Sequence, residues 1–261
     1  MIAESVAWVL AIVGLVIALG FGLLWRRTWK NLAKARLRVS TREEQFVVLA
    51  HEIKTPLTLV QMSADILLSD HSCDDRQRQL LVEVAEASDR LALLADNILT
   101  ETRIELGVFS PTFAPTDVRD VLRGSWRSMH RLAERREQHI VIDYPQVMDS
   151  VMADRTLLQQ AVTNLLQNAI RHTSRGGIVT LSAFQTAEDV VTSVWDDGDG
   201  MSPEARKDAF QRFVSHSGGT GMGLSIVSTI ASLHGGKVRV DTNLGKGAAF
   251  LIALPRSRAA Q

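Results

Sequence analysis

The chain has almost no cysteine and no surplus of charge. A single cysteine, Cys73, in 261 residues excludes an internal disulfide and a thiolate zinc cage. Lys plus Arg total 29 and Asp plus Glu total 29. That balance argues against a strongly basic nucleic-acid binder, so no direct nucleic-acid contact is expected, and against an acidic tail protein. There is no internal repeat and no long low-complexity tract. Charged residues make up only 22% against 46% hydrophobic, which excludes wholesale disorder. The length has room for one large domain, or two modest ones with appendages.

What is present begins with a long apolar run. Val6 to Trp25 carries no charge, and at about 1.5 Å per residue it spans about 30 Å, the thickness of a hydrocarbon core. Trp8, Trp25 and Trp29 lie near its ends, where amphipathic rings prefer the interface. Arg26, Arg27, Lys30, Lys34, Arg36 and Arg38 follow, and only Glu4 precedes, which places the bulk of the chain in the cytoplasm. A cleaved signal peptide fits poorly: the leading region lacks positive charge, the run is too long, and no small-residue cleavage site follows. Gly14, Ala18 and Gly22 recur every four residues and favour close helix approach. With about five residues outside, no extracellular sensor domain is expected, and input from the bilayer or a membrane partner follows as a conjecture.

Two helices come next. Phe46, Leu49, Ile53, Leu57, Val60, Ala64 and Leu67 alternate by three and four, as do Leu80, Val84, Ala87, Leu91, Leu94 and Ile98. The polar stretch Ser69 to Asp75 between them reads as a turn, giving an antiparallel hairpin. Val47, Met62, Leu81 and Leu99 widen the apolar faces, so two hairpins are expected to pair as a homodimeric four-helix bundle. The competing reading packs the hairpin against its own chain. Off the seam stands His51, which projects toward solvent, with Glu52 beside it as a proton acceptor and Thr55 one turn on. Pro56 removes a backbone donor and bends the helix just past His51.

Pro111 and Pro115 mark a boundary, after which the pattern is mixed. Helices are predicted near 117–136 and 155–171, and strands near 140–142, 178–184, 190–195, 237–240 and 249–254. Three constellations here carry chemistry. Asn164 and Asn168 share one helix face, and the amide oxygen of Asn168 suits Mg²⁺, while Arg171 can reach a phosphate. Asp196-Asp197-Gly198-Asp199-Gly200 follows a strand, where a carboxylate can accept the amino hydrogen of adenine. Gly218-Gly219-Thr220-Gly221-Met222-Gly223-Leu224 opens into a helix whose free amides favour phosphate oxygens. Neither the P-loop ending nor the last glycine of the dinucleotide fingerprint is there.

His51-Glu52-Ile53-Lys54-Thr55-Pro56-Leu57 resembles the H-box of two-component sensor histidine kinases, and the three later constellations, in order, resemble the N, G1 and G2 boxes of their Bergerat-type ATP-binding domain. Phe210 and Phe213 resemble the F-box. The likeness covers roughly Thr41 to Pro255. It implies an α+β protein: a single transmembrane helix (1–25), a basic linker (26–40), a dimerisation and phosphoacceptor hairpin (41–106) and an α/β sandwich ATP-binding domain (107–261). By resemblance, His51 is phosphorylated from ATP, Glu52 acts as base, and Thr55 supports dephosphorylation of the partner response regulator. Asn168 holds Mg²⁺, Asn164 positions metal or phosphates, and Asp196 reads adenine. Arg171 and His172 border the nucleotide; Gly198 and Gly200 shape the pocket. Gly219, Thr220, Gly221, Gly223 and Leu224 belong to the phosphate lid. The implied location is the bacterial plasma membrane. Departures from the family pattern are Arg212 and Val214, where Pro and Tyr are frequent, His172, where Tyr or Lys is frequent, and a segment before the H-box too short for the usual relay module. An ATP-binding or phosphatase-dominant module without kinase output, and an ATPase clamp, are the alternatives.

Overall fold

A computed structural model of the chain describes residues 53–68, 74–105, 107, 109–212, 214, 221–242 and 245–256. The apolar run 6–25, the basic linker, the pair His51–Glu52 and the turn residues Ser69 to Cys73 lie outside the described residues, as does the bend expected beside His51. Among the described residues no helix is long and apolar enough to cross a membrane.

Residues 53–68 form helix α1 and Asp75–Glu105 form α2. They run antiparallel: Lys54 Nζ lies 2.9 Å from Asp96 Oδ2 near one end, and Arg78 Nη1 donates to the Leu68 carbonyl at 3.2 Å near the other. Helix α2 starts where Asp74 and Gln77 cap each other. The Gln77 N–H donates to Asp74 Oδ1 at 2.7 Å, and the Asp74 N–H donates to Gln77 Oε1 at 3.1 Å.

The heptad seam is open in the single chain. Ile53, Val60 and Leu67 on α1 and Leu80, Val84, Leu91 and Ile98 on α2 are 41–54% exposed. What α2 buries is a different face, with Leu93, Asn97 and Thr100 turned to the rest of the chain. One face of the hairpin packs on its own chain, and much of the seam is exposed, although seam residues Leu91 and Leu94 also line a cavity shared with the rest of the chain.

The remaining elements are β1 (Ala114–Thr116), α3 (Val118–Arg135), β2 (His139–Asp143), β3 (Val151–Ala153), α4 (Arg155–His172), β4 (Ile178–Gln185), β5 (Asp189–Asp196), α5 (Pro203–Asp208), α6 (Gly223–Leu233), β6 (Lys237–Thr242) and β7 (Ala248–Pro255). Five strands form one sheet in the order β2-β4-β5-β7-β6, parallel only between β2 and β4. The two long helices and five strands predicted here all form. Three short elements, β1, β3 and α5, were not anticipated. Strands β1 and β3 make a separate two-stranded ribbon in which Pro115 is opposite Met152, an edge position where a missing N–H is tolerated.

Helices α3, α4 and α6 pack together, and α4 lies against β5. Alternation does the sorting: Val179, Leu181 and Ala183 of β4 face inward, while Ile178 and Phe184 face out. Leu158, Leu165 and Leu166 of α4 meet Phe250 and Ile252 of β7 in a single core. Asp154 caps α4 by accepting from the Thr156 and Leu157 N–H groups at 3.0 and 3.2 Å. Its own N–H donates to His234 Nε2 at 3.0 Å, and His234 Nδ1 donates to the Ile230 carbonyl at 2.7 Å. One buried imidazole thereby joins the start of α4 to the end of α6.

Candidate active site

Strand β5, the last turn of α4 and the first turn of α6 end around one cavity of about 920 Å³. Asp196, Asn168, Arg171 and His172 line it, and so do Gly200, Gly221, Gly223 and Leu224. The remaining wall is helix α2, through Arg90, Leu94 and Asn97 among others.

Asp196 is the last residue of β5 and only 2% exposed. Burial pushes its carboxyl up to about 6, against hydrogen bonds from the Gly198 and Ala248 N–H groups that pull it down, while the Asp197 charge pushes it further up. The Gly198 N–H lies 3.1 Å from Oδ1. A buried acceptor in this setting suits the amino group of a purine. The backbone around it leaves no room for side chains. A Cβ on Gly198 would lie 2.3 Å from the His172 carbonyl oxygen. Gly247 has φ +78°, and a Cβ there would lie 1.8 Å from the Asp196 carbonyl oxygen. The turn containing Gly247 is tied down by the Gly245 N–H, which donates to the Asp199 carbonyl at 2.7 Å, and by Thr242 Oγ1, which donates to the Gly247 carbonyl at 2.9 Å.

On α4, Arg171 Nη2 donates to Asn168 Oδ1 at 2.9 Å and stands 3.2 Å from His172 Nε2. Burial lowers the pKa of His172; the neighbouring Arg171 charge lowers it further and Asp199 opposes this. Below its ordinary value, the imidazole is neutral at pH 7 and can accept from that guanidinium. Arg171 is itself lowered, by burial first and then by the charges of Arg90 and Arg136.

Asn164 is 4% exposed and held by the hairpin. Its Oδ1 accepts from Asn97 Nδ2 at 2.6 Å, and its Nδ2 donates to Asn97 Oδ1 at 2.9 Å and to the Gln160 carbonyl at 2.9 Å. The Gln160 side chain joins the cluster through Asn97 and Thr100. The amide expected beside metal or phosphates is thus occupied by another amide from α2.

Helix α6 begins at Gly223 with no side-chain cap from Met222. Its first amide donors open beside the cavity, an arrangement that favours anionic oxygens. Below the cavity Phe210 packs edge-on against Phe250, 6.3 Å between centroids. Thr55 is exposed on α1. Of the residues singled out in the sequence, His51, Glu52, Phe213, Gly219 and Thr220 lie outside the described residues.

Two family models match the chain: "His Kinase A (phospho-acceptor) domain" over residues 41–107 and "Histidine kinase-, DNA gyrase B-, and HSP90-like ATPase" over residues 153–258. Together they cover more than half of the 261 residues. The solved structure of the mycobacterial sensor histidine kinase MprB is 30% identical, with a TM-score of 0.50 over 56% of this chain and 98% of that one. The chain belongs to the two-component sensor histidine kinases.

Other members of this kinase family align over nearly the whole chain. The alginate biosynthesis sensor protein KinB of Pseudomonas aeruginosa is 29% identical over 231 residues, 87% of this chain and 39% of KinB. Full-length ShkA, crystallised in complex with AMPPNP, is 32% identical with a TM-score of 0.61, over 84% of this chain and 47% of that one. The chain thus spans less than half the length of either. Among the described residues of this histidine kinase, no group of three or more His, Cys, Asp or Glu side chains is placed to hold a metal ion. A neutral amide such as Asn168 fits Mg²⁺, which keeps most of its shell as water and phosphate oxygens.

Proposed function

We propose that this chain is a membrane-anchored, homodimeric histidine kinase that transfers the γ-phosphoryl group of ATP to His51 and then to an aspartate of a response regulator. The observation that carries this is the joint occurrence, around one cavity, of the buried acceptor Asp196, the polar helix end Asn168–Arg171–His172 and the uncapped start of α6. Asp196 orients adenine, and the α6 amides with Arg171 take the phosphates. Asn168, with phosphate oxygens and water, is the residue placed to hold Mg²⁺. When bound, the ion neutralises charge on the transferring group.

In the first step the imidazole nitrogen of His51 bonds to the γ-phosphorus, the bond to the bridging oxygen breaks, and ADP leaves with that electron pair. Glu52 takes the imidazole proton. In the second step a carboxylate oxygen of the regulator bonds to phosphorus, the N–P bond breaks with its electron pair going to nitrogen, and the proton held by Glu52 returns to that nitrogen, restoring the imidazole. Positioning supplies most of the acceleration in such transfers. The open heptad seam supports pairing of two hairpins, and the apolar run followed by basic residues supports anchoring in the bacterial plasma membrane, with the signal entering through the bilayer or a membrane-embedded sensor partner.

A phosphatase-dominant reading draws support from one contact: Asn164 is held by Asn97 while Thr55 stays exposed. The full chain in lipid vesicles, given γ-labelled ATP, distinguishes the two. Acid-labile, base-stable label that disappears in His51→Gln establishes the kinase. Nucleotide binding without such label, together with loss of label from a phosphorylated regulator, establishes the other.

A further inference from the structure

One wall of the cavity comes from outside the nucleotide-binding domain. Helix α2 contributes Arg90, Leu91, Leu94 and Asn97 to the same cavity that Asn168 and Arg171 line. Two guanidinium groups from two domains therefore border one concave space: Arg90, exposed on the hairpin, and Arg171, half-buried at the end of α4. Arg136 is a third cation there, and it is neutralised by Glu86, with contacts of 2.7 and 2.8 Å in a two-pronged pair. Arg90 forms no such ion pair among the described residues, although Glu86 senses its charge. Arg90 is the leading like charge acting on Arg171. Like charges gathered at a cavity repel one another until an anion enters.

We infer that Arg90 of the hairpin binds the polyphosphate of the nucleotide seated in its own chain's catalytic domain, so that the nucleotide bridges the two domains. This rests on the proposed reading of the cavity as an ATP site. The planar guanidinium suits phosphate oxygens and offers two parallel donors. Adenine at Asp196 leaves the phosphates the rest of the cavity, whose lining includes the start of α6 and, from α2, Arg90, Leu94 and Asn97. The docked hairpin is therefore part of the binding site, and ATP or ADP holds it there.

The test is calorimetric titration of the full chain in detergent with Mg-ATP, Mg-ADP and adenosine, comparing wild type with Arg90→Ala and Arg90→Lys. Arg90→Ala weakens ATP and ADP by about tenfold or more, as the loss of a charge-assisted hydrogen bond implies. It leaves adenosine unchanged, and Arg90→Lys falls between. Equal ATP affinity in wild type and Arg90→Ala overturns the inference. So does an equal weakening of adenosine and ATP, the mark of lost packing rather than phosphate recognition. A wild-type chain that binds adenosine and ATP not at all brings down the nucleotide reading itself, and the inference with it.

Discussion

Asn97 of α2 and Asn164 of α4 exchange two amide hydrogen bonds, 2.6 and 2.9 Å long, across the boundary between hairpin and nucleotide-binding domain. Both side chains are 4% exposed. Removing one takes the partner from one buried atom of the other, Asn164 Oδ1 or Asn97 Nδ2, while Gln160 keeps its own bond to the remaining amide, a loss of about 1–3 kcal/mol. Asn97→Leu and Asn164→Leu each lower stability by that order, and the double variant loses less than the sum. Denaturant unfolding of the four proteins of the cycle reads the coupling.

Asp196 sets a pH dependence. In the folded chain its carboxyl is raised to about 6 from the ordinary 3.8, chiefly by burial. In the proposed adenine site the ionised form is the acceptor, so ATP affinity is expected to fall as pH drops through about 6. Stability moves the other way. A raised acid favours the fold while protonated, and that contribution is lost as pH rises through the folded value. Asp196→Asn therefore abolishes ATP binding, yet melts at a higher temperature than wild type at pH 7.5, with the gap closing toward pH 5. Thermal scans at the two pH values decide it; a variant less stable at both contradicts the assignment.

Gly247 admits no side chain. Its φ of +78° and the 1.8 Å approach of a Cβ to the Asp196 carbonyl act together. Gly247→Ala is expected to lose more than about 1 kcal/mol from backbone incompatibility alone, with a larger total from the clash. Its ATP affinity falls in parallel, because the displaced backbone is that of Asp196. Gly176, with φ +78° but open space around it, loses only the conformational part, so Gly176→Ala serves as the control.

Charge complementarity holds α3 to the hairpin. Arg136 grips Glu86, Arg135 pairs with Asp65 at 2.7 Å and with Asp89, and Arg131 reaches Asp65 at 3.2 Å. The Arg136 hydrogen bonds keep the Glu86 carboxyl below its ordinary range. Glu86→Arg opens the interface, and adding Arg136→Glu closes it again. Hydrogen exchange of α3 in the full chain, or small-angle scattering, reports each state.

The open seam makes its own prediction. Leu80 and Val84 are 54% and 45% exposed in the single chain. Leu80→Lys with Val84→Lys places charge where a second hairpin is proposed to pack. Sedimentation is expected to show dimeric wild type and a monomeric variant that still binds ATP.

How much of this was readable beforehand depends on the period of each signal. Helices α3 and α4 and the five strands of the main sheet have long, regular alternation and were visible within about two residues. The Asp196 loop and the paired asparagines stood out because such residues are poor in strands and helix interiors. Strands β1 and β3, three residues each, are too short for any period, and α5, six residues behind Ser202, is little longer. The role of Asn97 was hidden for a different reason. The heptad pattern describes only the seam of α2, so Asn97 and Thr100 on another face look like solvent-facing polar residues until α4 is placed against them. Arg90 was hidden in the same way.

Arg212 lies just beyond α5 and pairs with Glu101 at 3.0 Å and with Glu105, both in the last two turns of α2. The chain leading into the glycine-rich segment is thus moored to the end of a helix that runs for 31 residues, about 46 Å at 1.5 Å per residue. Two ion pairs therefore tie the stretch beyond α5 to the hairpin, so a variant that shortens or unravels the end of α2 releases that stretch as well.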